Sequence, residues 1–367
     1  MSIYNVSNVV SYPYTTLYGQ SVVVASTGRL YAAYSYSVSG RSRVVCAYSD
    51  DNGETWTEEA VSTDTAHGQS TPAIAIDAND DVHMVWTSDP TPFRLLYSKR
   101  SSGSWSAPAT VYSEAYYQVG SAIGVTSTGV VHVVYRRSSG SYYLLNHIAC
   151  TGGTWGSPTT VFDHSVPWGD LPNDPESCLT PVMAIDKSDN VHIAFTRGAV
   201  NNTSYIALGS SYVNVNSSNA PSIKIDADNC VNLSGFSSTR VTYNKLTSGW
   251  SETVNIADTG VNLSAAYPSM IVDENRHIGV VWTGGGYVYW VKYINEWGAV
   301  ESENVTYMAY PSAVFMPKVN KIGVLFVYHD GAYADTRVKF WMSGEFVPPP
   351  AYSFPWLGRF QLSRVTA

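Results

Sequence analysis

A repeated unit of about 48 residues constrains the fold of this chain more than any other feature. Each clear copy joins two apolar segments through a short turn that begins at an Asp. These copies read PAIAIDANDDVHMVWTS (72–88), PVMAIDKSDNVHIAFTR (181–197), PSIKIDADNCVNLSGFS (221–237) and PSMIVDENRHIGVVWTG (268–284). Weaker copies at 21–35, 121–137 and 312–329 bring the number of units to seven.

A second hairpin follows most units and ends in an aromatic residue. The aromatic positions are Trp56, Trp105, Trp155, Trp250, Trp297 and Phe346, with successive gaps of 49, 50, 95, 47 and 49 residues. The double gap contains one unit, SYIALGSSYVNV, that lacks the tryptophan. The repeated unit and the hairpin aromatic recur with the same period, and each unit has room for about four short strands. Together they predict an all-β, seven-bladed β-propeller of four-stranded antiparallel blades.

The two ends of the chain suggest how the ring closes. The segment IYNVSNVVS (3–11) resembles the fourth strands of other units, so we expect it to form the outer strand of the last blade and leave no open edge. The segment EFVPPPAYSFPW contains three consecutive prolines, which a well-bonded strand does not accommodate. We therefore expect a propeller over 1–346 and a short Pro- and aromatic-rich tail over 347–367.

Three residue types recur at fixed places in the units, and we expect all three to be structural. Large aromatic rings near the end of the second strand should wedge between blades: Tyr34, Trp86, Tyr135, Phe195, Trp282 and Phe326. The turn aspartates Asp77, Asp186, Asp226 and Asp273 should accept backbone N–H bonds, with calcium binding as the alternative. His83, His132 and His192 occupy equivalent blade positions, which favours structural hydrogen bonds, so we expect no metal or other cofactor.

Composition narrows the partners and the compartment. Charged residues make up only 14% of the chain, while Ser, Thr, Asn, Gly and 27 Tyr are abundant, which is typical of a secreted, cell-surface or virion protein. The net charge is −8 without a basic run, so nucleic acid is not expected as a partner. No apolar run approaches the ~20 residues of a membrane span. The N-terminal residues lack signal-peptide features, and we expect a virion or extracellular location.

The octapeptide SDDNGETW (49–56) follows the pattern Ser-x-Asp-x-Gly-x-Thr-Trp. With blade segments such as VHMVWTSD and LLYSKRSSGSWSAP, it resembles the Asp-box (bacterial neuraminidase) repeat superfamily. The resemblance implies a propeller and frequent carbohydrate contact. We interpret the box as a folding device in which Ser49 and Asp51 cap the turn, Gly53 permits a positive φ and Trp56 packs.

The ligand site is expected on the face opposite the box. We call the face of the strand one–two and three–four turns the turn face, and the face of the strand two–three and interblade loops the loop face. Aromatic rings stack on sugars, while Arg and Asp bind hydroxyls or charged groups. The predicted ligand-binding residues are Tyr116, Tyr117, Trp168, Asp170, Arg94, Arg137, Tyr267 and Tyr310. Two of them belong to an unusually long loop at 163–178, and long irregular loops are often functional.

Catalysis by this face has two candidate chemistries. A sialidase would need an Arg-Ile-Pro on the first strand, where residues 20–26 read QSVVVAS, and a Tyr–Glu pair that we do not find in the middle blades. Some polysaccharide lyases also resemble this scaffold, and they use Arg against a uronate carboxylate and His and Tyr for proton transfer. The catalytic candidates for that reaction are His67, His164, Tyr117, Arg136 and Arg197.

Two functional hypotheses follow. The first is a recognition propeller without clear catalysis, in a phage or virus tail or receptor-binding protein. Its partner would be a glycan or cell-surface receptor, and the 347–367 tail would contact other virion proteins. The alternative is a secreted polysaccharide-degrading enzyme, a lyase or glycoside hydrolase, that uses the loop face.

Overall fold

The computed structural model describes most of the propeller. The described residues are 3–7, 21–62, 64–89, 92–115, 118–138, 143–164, 181–197, 202–216, 218–237, 240–258, 267–284, 286–304, 308–329 and 336–345. Within these ranges the chain forms strands and no helix, so there is no long apolar helix that could cross a membrane. The predicted tail at 347–367 lies outside the described residues.

The strands form seven separate antiparallel sheets, one for each predicted unit. Blade one contains β2 (Val22–Val24), β3 (Leu30–Val38), β4 (Arg41–Ser49) and β5 (Thr57–Ala60), and β1 (Ile3–Asn5) belongs to blade seven. Blade two contains β6 (Gly68–Ile76), β7 (Val82–Asp89), β8 (Phe93–Ser101), the short β9 (Ser104–Trp105) and β10 (Ala109–Glu114). Blade three contains β11 (Gln118–Val125), β12 (Val131–Ser138), β13 (Tyr143–Thr151), the short β14 (Thr154–Trp155) and β15 (Thr159–His164).

The remaining four blades keep the same order from the axis outward. Blade four contains β16 (Val182–Ile185), β17 (Val191–Arg197), β18 (Asn202–Ala207) and β19 (Val213–Asn216). Blade five contains β20 (Asn219–Ile225), β21 (Val231–Ser237), β22 (Arg240–Leu246) and β23 (Val254–Asp258). Blade six contains β24 (Ser269–Val272), β25 (Ile278–Gly284), β26 (Tyr287–Tyr293) and β27 (Glu301–Asn304), and blade seven contains β28 (Met308–Met316), β29 (Lys321–His329) and β30 (Thr336–Glu345).

The hydrophobic core lies between the blades. Successive side chains of a strand point to opposite faces, so every central strand supplies apolar groups to both neighbouring blades. In β7, Met84 packs against blade one, whereas Val85 packs against blade three. Seven such clusters of buried residues occur, one at each interface between consecutive blades. The predicted seven-bladed propeller is therefore confirmed.

The aromatic wedges are confirmed as well. All six predicted rings have no exposed surface, among them Trp86, Trp282 and Tyr34. Blade five has Gly235 at the corresponding place. A Cβ there would lie 2.4 Å from the Ser218 hydroxyl oxygen, so Ser218 occupies the space that a ring fills elsewhere.

The N-terminal strand closes the ring. Strand β1 pairs with β30, with Ile3 opposite Trp341 and Asn5 opposite Lys339. The N–H groups of Val6 and Ser7 both donate to the carbonyl of Val338, at 2.9 and 3.2 Å. The outer strand of the last blade thus comes from the start of the chain, as predicted. Only Ile3–Asn5 form strand, and residues 8–11 lie outside the described ranges.

The turn aspartates accept backbone N–H bonds, as expected. Asp77 Oδ1 accepts the N–H groups of Asn79 (2.8 Å) and Asp81 (3.0 Å). Asp186, Asp226 and Asp273 accept the same pair of bonds in their own turns. Neighbouring turns are also tied together, because Asp80 accepts both the N–H and the hydroxyl of Ser26 in blade one.

The equivalent histidines make structural hydrogen bonds. His83 Nδ1 lies 2.8 Å from the Tyr97 hydroxyl, and its Nε2 lies 3.2 Å from Asp77 Oδ2. His192 repeats this arrangement with its own Tyr and Asp neighbours. His132 differs, because its Nδ1 lies 2.9 Å from Nε2 of a second histidine, His147.

Candidate functional site

The octapeptide 49–56 forms a hydrogen-bonded turn on the turn face, between β4 and β5. The Ser49 hydroxyl donates to Asp51 Oδ1 at 2.8 Å and accepts the N–H of Gly53 at 2.8 Å. Asp51 also accepts the N–H of Thr55, and the Trp56 indole N–H donates to the Gly53 carbonyl. Burial disfavours the Asp51 carboxylate, but the bonds from Thr55 and Ser49 outweigh it and lower its pKa. All described hydrogen-bond partners of the Asp51 carboxylate belong to the same turn.

A polar cluster lies on the loop face between blades one and two. Asp64 and His67 come from the connection between these blades, and Arg94 comes from the start of β8. His67 Nδ1 is 2.6 Å from Asp64 Oδ2, and Arg94 Nη2 is 3.4 Å from the same oxygen. The side chains of His67, Asp64 and Arg94 keep 37%, 31% and 31% of their surface exposed. We call this set the Asp64–His67–Arg94 cluster.

The cluster fixes the tautomer of its histidine. Asp64 Oδ2 accepts a hydrogen from His67 Nδ1, so in the neutral ring the lone pair lies on Nε2. Among the described residues nothing is hydrogen-bonded to that Nε2. Burial disfavours the Asp64 carboxylate, but hydrogen bonds from the His67 ring and the Ala66 N–H lower its pKa. An accessible imidazole base, oriented by a carboxylate, therefore lies beside a guanidinium.

Buried neighbours hold Arg94 in place. Its Nη2 lies 3.5 Å from the Ser88 hydroxyl, which accepts a 2.9 Å bond from the Gln69 amide. Gln69 in turn accepts the indole N–H of Trp86, the buried wedge of blade two, at 2.6 Å. The Arg94 guanidinium is thus connected to the interblade core, which limits the positions it can adopt.

A second guanidinium supports the loop that carries Asp64. Arg43, at the start of β4, donates to the backbone carbonyls of Asp64 and, at 3.3 Å, of Thr65. The sequence analysis assigned no role to Arg43 or Asp64. The spacing of three residues between Asp64 and His67 was a readable signal for their contact.

Tyr267 lies elsewhere on the loop face, at the mouth of a cavity on the propeller axis. The inner strands of six blades and the segments preceding them line this axial cavity, which includes Tyr267, Pro268, Ile123 and Lys224. Inner strands meet around the axis of any propeller, so the cavity follows from the fold.

The structure does not bring the other arginine candidates to His67. Arg136 is buried, with 6% of its surface exposed. Arg137 lies 2.5 Å from Glu114 and so connects blades three and two. Arg197 lies over the rings of Phe162 and Tyr212, at the interface of blades three and four. Arg137 and Arg197 therefore belong to other interblade contacts.

The remaining predicted site residues lie outside the described residues or have only their backbones described. Tyr116, Tyr117, Trp168 and Asp170 lie outside the described residues, together with most of the 163–178 loop. His164 ends β15, opposite Tyr143, and Tyr310 belongs to β28; only their backbones are described. Their proposed roles stay predictions.

Several solved structures with a similar fold are carbohydrate-acting enzymes. An ulvan lyase bound to a saccharide of glucuronate and sulfated rhamnose has a TM-score of 0.59, 9% identity and coverage of 93% of this chain and 95% of its own. The α-L-arabinanase of Penicillium chrysogenum, complexed with arabinobiose, has a TM-score of 0.57 and 12% identity. The match covers 94% of this chain and 98% of the arabinanase. The α-L-arabinofuranosidase of Fusarium graminearum has a TM-score of 0.54 and 12% identity. The match covers 94% of this chain and 97% of the arabinofuranosidase.

These likenesses establish the seven-bladed architecture only, because all three identities are low. No protein-family model matches the chain, and no curated protein matches its sequence. The Asp-box assignment therefore stays a prediction from the pattern at 49–56.

Proposed function

We propose that this protein is a polysaccharide-degrading enzyme whose loop face acts on acidic saccharides as a lyase. The Asp64–His67–Arg94 cluster carries the proposal. It combines a general base, a group that orients the base and a cation, on the face where the sequence predicts ligand binding. The fold likeness to carbohydrate-acting propellers supports the same direction.

The residue types favour elimination over hydrolysis. Glycoside hydrolysis commonly uses two carboxyl groups that flank the scissile bond. In the cluster the single carboxylate, Asp64, accepts from His67 and is approached by Arg94. A uronate lyase instead needs a base for the proton next to the sugar carboxylate and a cation that stabilises the negative charge formed there.

The assigned roles follow from the geometry. His67 Nε2 removes the proton next to the uronate carboxylate, while Arg94 pairs with that carboxylate and Asp64 stabilises the resulting imidazolium. The glycosidic C–O bond then breaks as the new double bond forms. The departing oxygen takes a proton from water or from a second side chain, for which Tyr117 stays the predicted candidate.

The test is an activity assay on uronate polysaccharides, including ulvan. The expected product is an unsaturated uronate, detected by its growing ultraviolet absorbance. Because general base catalysis contributes about 10²–10⁴-fold, His67→Ala should lower the rate by that factor. Arg94→Ala should lower kcat/KM strongly, and Arg94→Lys should recover only part of it, since a lysine does not reproduce the bidentate fork.

Arg29 offers a matched control on the turn face. Its guanidinium pairs with Asp50 at 2.6 Å and its side chain is 33% exposed, close to the value for Arg94. Arg29→Ala should leave the rate unchanged. An equal loss in Arg29→Ala and Arg94→Ala would contradict a site at the cluster.

The recognition function is the second candidate. Two results together would support it. The protein would bind acidic saccharides on a glycan array, and Arg94→Ala would lose that binding. It would also produce no unsaturated uronate and no new reducing ends from arabinan. The structures compared above are enzymes and not virion components, so they favour the enzyme over the phage or virus hypothesis.

A further inference from the structure

One position near the loop-face end of the second strand links the Asp64–His67–Arg94 cluster to its neighbouring blades. It lies two residues after the aromatic wedge, and therefore on the same face of the strand. In blade two this position is Ser88, the residue that Arg94 contacts. In blades one and seven it is a tyrosine, Tyr36 or Tyr328, and both side chains are partly exposed.

Blade six supplies a third tyrosine at the same height. Its own position after the wedge is Gly284, and Tyr287 lies directly opposite on β26. Tyr287 is 39% exposed. Its ring centroid lies 5.9 Å from that of Tyr289, which in turn is stacked on the buried Trp282 at 5.7 Å and 12°. Packing on the wedge of blade six therefore fixes the orientation of an exposed ring.

The three tyrosines lie in consecutive furrows between blades. Tyr36 packs on the core between blades seven and one, and Tyr328 packs on the core between blades six and seven. Tyr289, on the same face of β26 as Tyr287, packs on the core between blades five and six. The Asp64–His67–Arg94 cluster lies in the next furrow, between blades one and two. We call Tyr36, Tyr328 and Tyr287 the tyrosine row.

The row extends from one side of the cluster only. In blades three, four and five the equivalent position and its partner on the third strand hold other residue types. The pairs are Arg137 with Leu144, Arg197 with Asn202, and Ser237 with Arg240. A long ligand that uses the rings would therefore run from the cluster toward blade one and away from blade three.

Basic side chains accompany the row. Arg43 lies opposite Tyr36, and Arg337 lies opposite Tyr328. Arg43 also donates to two backbone carbonyls of the loop that belongs to the cluster, so it joins the first ring of the row to the cluster. Lys339 Nζ lies 3.4 Å from the centroid of the Tyr328 ring and covers one of its faces. Aromatic rings beside cations suit sugars that carry carboxylate or sulfate groups.

From this arrangement we infer that the tyrosine row forms saccharide subsites, which hold an acidic polysaccharide across blades one, seven and six. Each ring stacks on the C–H face of a sugar, and the basic groups attract its anionic substituents. The inference rests on the proposed function, because it takes the bound chain to be the substrate of the cluster. It adds that this substrate is several sugars long and that its chain leaves the cluster in one direction.

Calorimetry with ulvan, alginate and polygalacturonate fragments of defined length tests the inference. The His67→Ala protein is used so that no fragment is cleaved during the measurement. For at least one polymer the affinity should rise from the disaccharide to the octasaccharide, because a longer chain reaches more rings. Adding Tyr287→Ala should weaken octasaccharide binding about three- to tenfold and leave disaccharide binding unchanged. Tyr287→Phe keeps the ring and should restore most of the affinity.

Tyr212 offers a matched control for the exposed ring. It is 42% exposed and precedes β19, at the turn-face end of blade four. Tyr212→Ala should therefore leave the binding of every fragment unchanged. If the unmodified protein forms no unsaturated uronate but Tyr287→Ala still weakens the binding of long fragments, the lyase proposal fails and the tyrosine row stands. An affinity that does not depend on chain length, equal binding by Tyr287→Ala and Tyr212→Ala, or no binding of any fragment would overturn the inference.

Discussion

Glu59 in blade one and Arg100 in blade two form a two-point ion pair across their interface. Arg100 Nε lies 2.7 Å from Glu59 Oε2, and Nη2 lies 2.8 Å from Oε1. The Trp105 indole N–H donates to the same carboxylate at 3.0 Å. The Arg100 side chain is only 8% exposed, so the pair replaces apolar packing at the edge of the interblade core.

Removing one partner of this pair should destabilise the protein strongly. Glu59→Ala leaves the buried guanidinium without its carboxylate, and breaking such a pair costs about 3–5 kcal/mol. The double variant Glu59→Leu/Arg100→Met should lose less stability than Glu59→Ala alone, because no uncompensated charge remains. Urea denaturation of both variants measures the difference. Similar midpoints for Glu59→Ala and the unmodified protein would show that the pair contributes little.

Gly53, in the turn of the 49–56 octapeptide, allows the cost of a steric clash to be separated from the cost of a strained backbone. Gly53 has φ +94°, and a Cβ there would lie 2.4 Å from ring atoms of Phe340 in blade seven. Gly40 has φ +79°, but a Cβ there would meet nothing within 4 Å. Gly40→Ala should therefore cost about 1 kcal/mol for the left-handed backbone alone. Gly53→Ala should cost about 1–3 kcal/mol more, since Phe340 must move.

The measurement is the difference in unfolding free energy between the two variants. A larger cost for Gly53→Ala would show that the box also anchors blade one to blade seven. Trp56, whose ring lies 5.3 Å from that of Phe340, belongs to the same contact. Equal costs would limit the role of the box to its own turn.

The paired histidines predict a loss of stability in acid. Burial, with a smaller effect of His132, lowers the pKa of His147 to about 4, whereas an unfolded histidine titrates near 6.5. Between these pH values the unfolded chain binds a proton that the folded protein does not bind. The unfolding free energy should therefore fall as pH decreases from about 6.5 to 4, by up to about 3 kcal/mol for this residue.

The variant His147→Gln keeps an amide beside His132 Nδ1 but removes the titrating ring. Its unfolding free energy should depend less steeply on pH in that range. His67, which is 37% exposed, provides a control on the loop face, and His67→Gln should keep the steeper slope. Denaturation curves at several pH values would compare them. An unchanged slope in His147→Gln would contradict the assignment.

The sequence predicted the ring because its landmarks are local. Asp77 caps the backbone N–H groups of the residues two and four positions after it, and this spacing is visible in the sequence. Trp86 lies near the end of its strand, which is also visible from spacing alone. Contacts between blades depend on two distant segments. The approach of Arg94 to Asp64 and the burial of Arg136 were therefore not predictable from one chain.

Ring closure by the N-terminal strand gives the last prediction. Val6 is 1% exposed in the cluster between blades seven and one, whereas Ile3, on the same short segment, is 40% exposed. Val6→Ala should cost about 1–3 kcal/mol, because it removes apolar area from that cluster and leaves a small cavity. Ile3→Ala should stay within about 0.5 kcal/mol, as for most exposed positions.

If closure by the N-terminal strand limits the opening of the ring, limited proteolysis should rank the Val6→Ala and Ile3→Ala variants in the same order as their stabilities. Val6→Ala would be cleaved faster than Ile3→Ala at equal protease concentration, because a weaker seam raises the population of the open form. Ser7 provides an independent check, since its hydroxyl accepts the N–H of Val338 at 3.1 Å. Ser7→Ala leaves that buried N–H without its side-chain partner and should also accelerate cleavage. If the Val6 and Ser7 variants were as resistant as Ile3→Ala, stability would reside in the other blade interfaces and not at the seam.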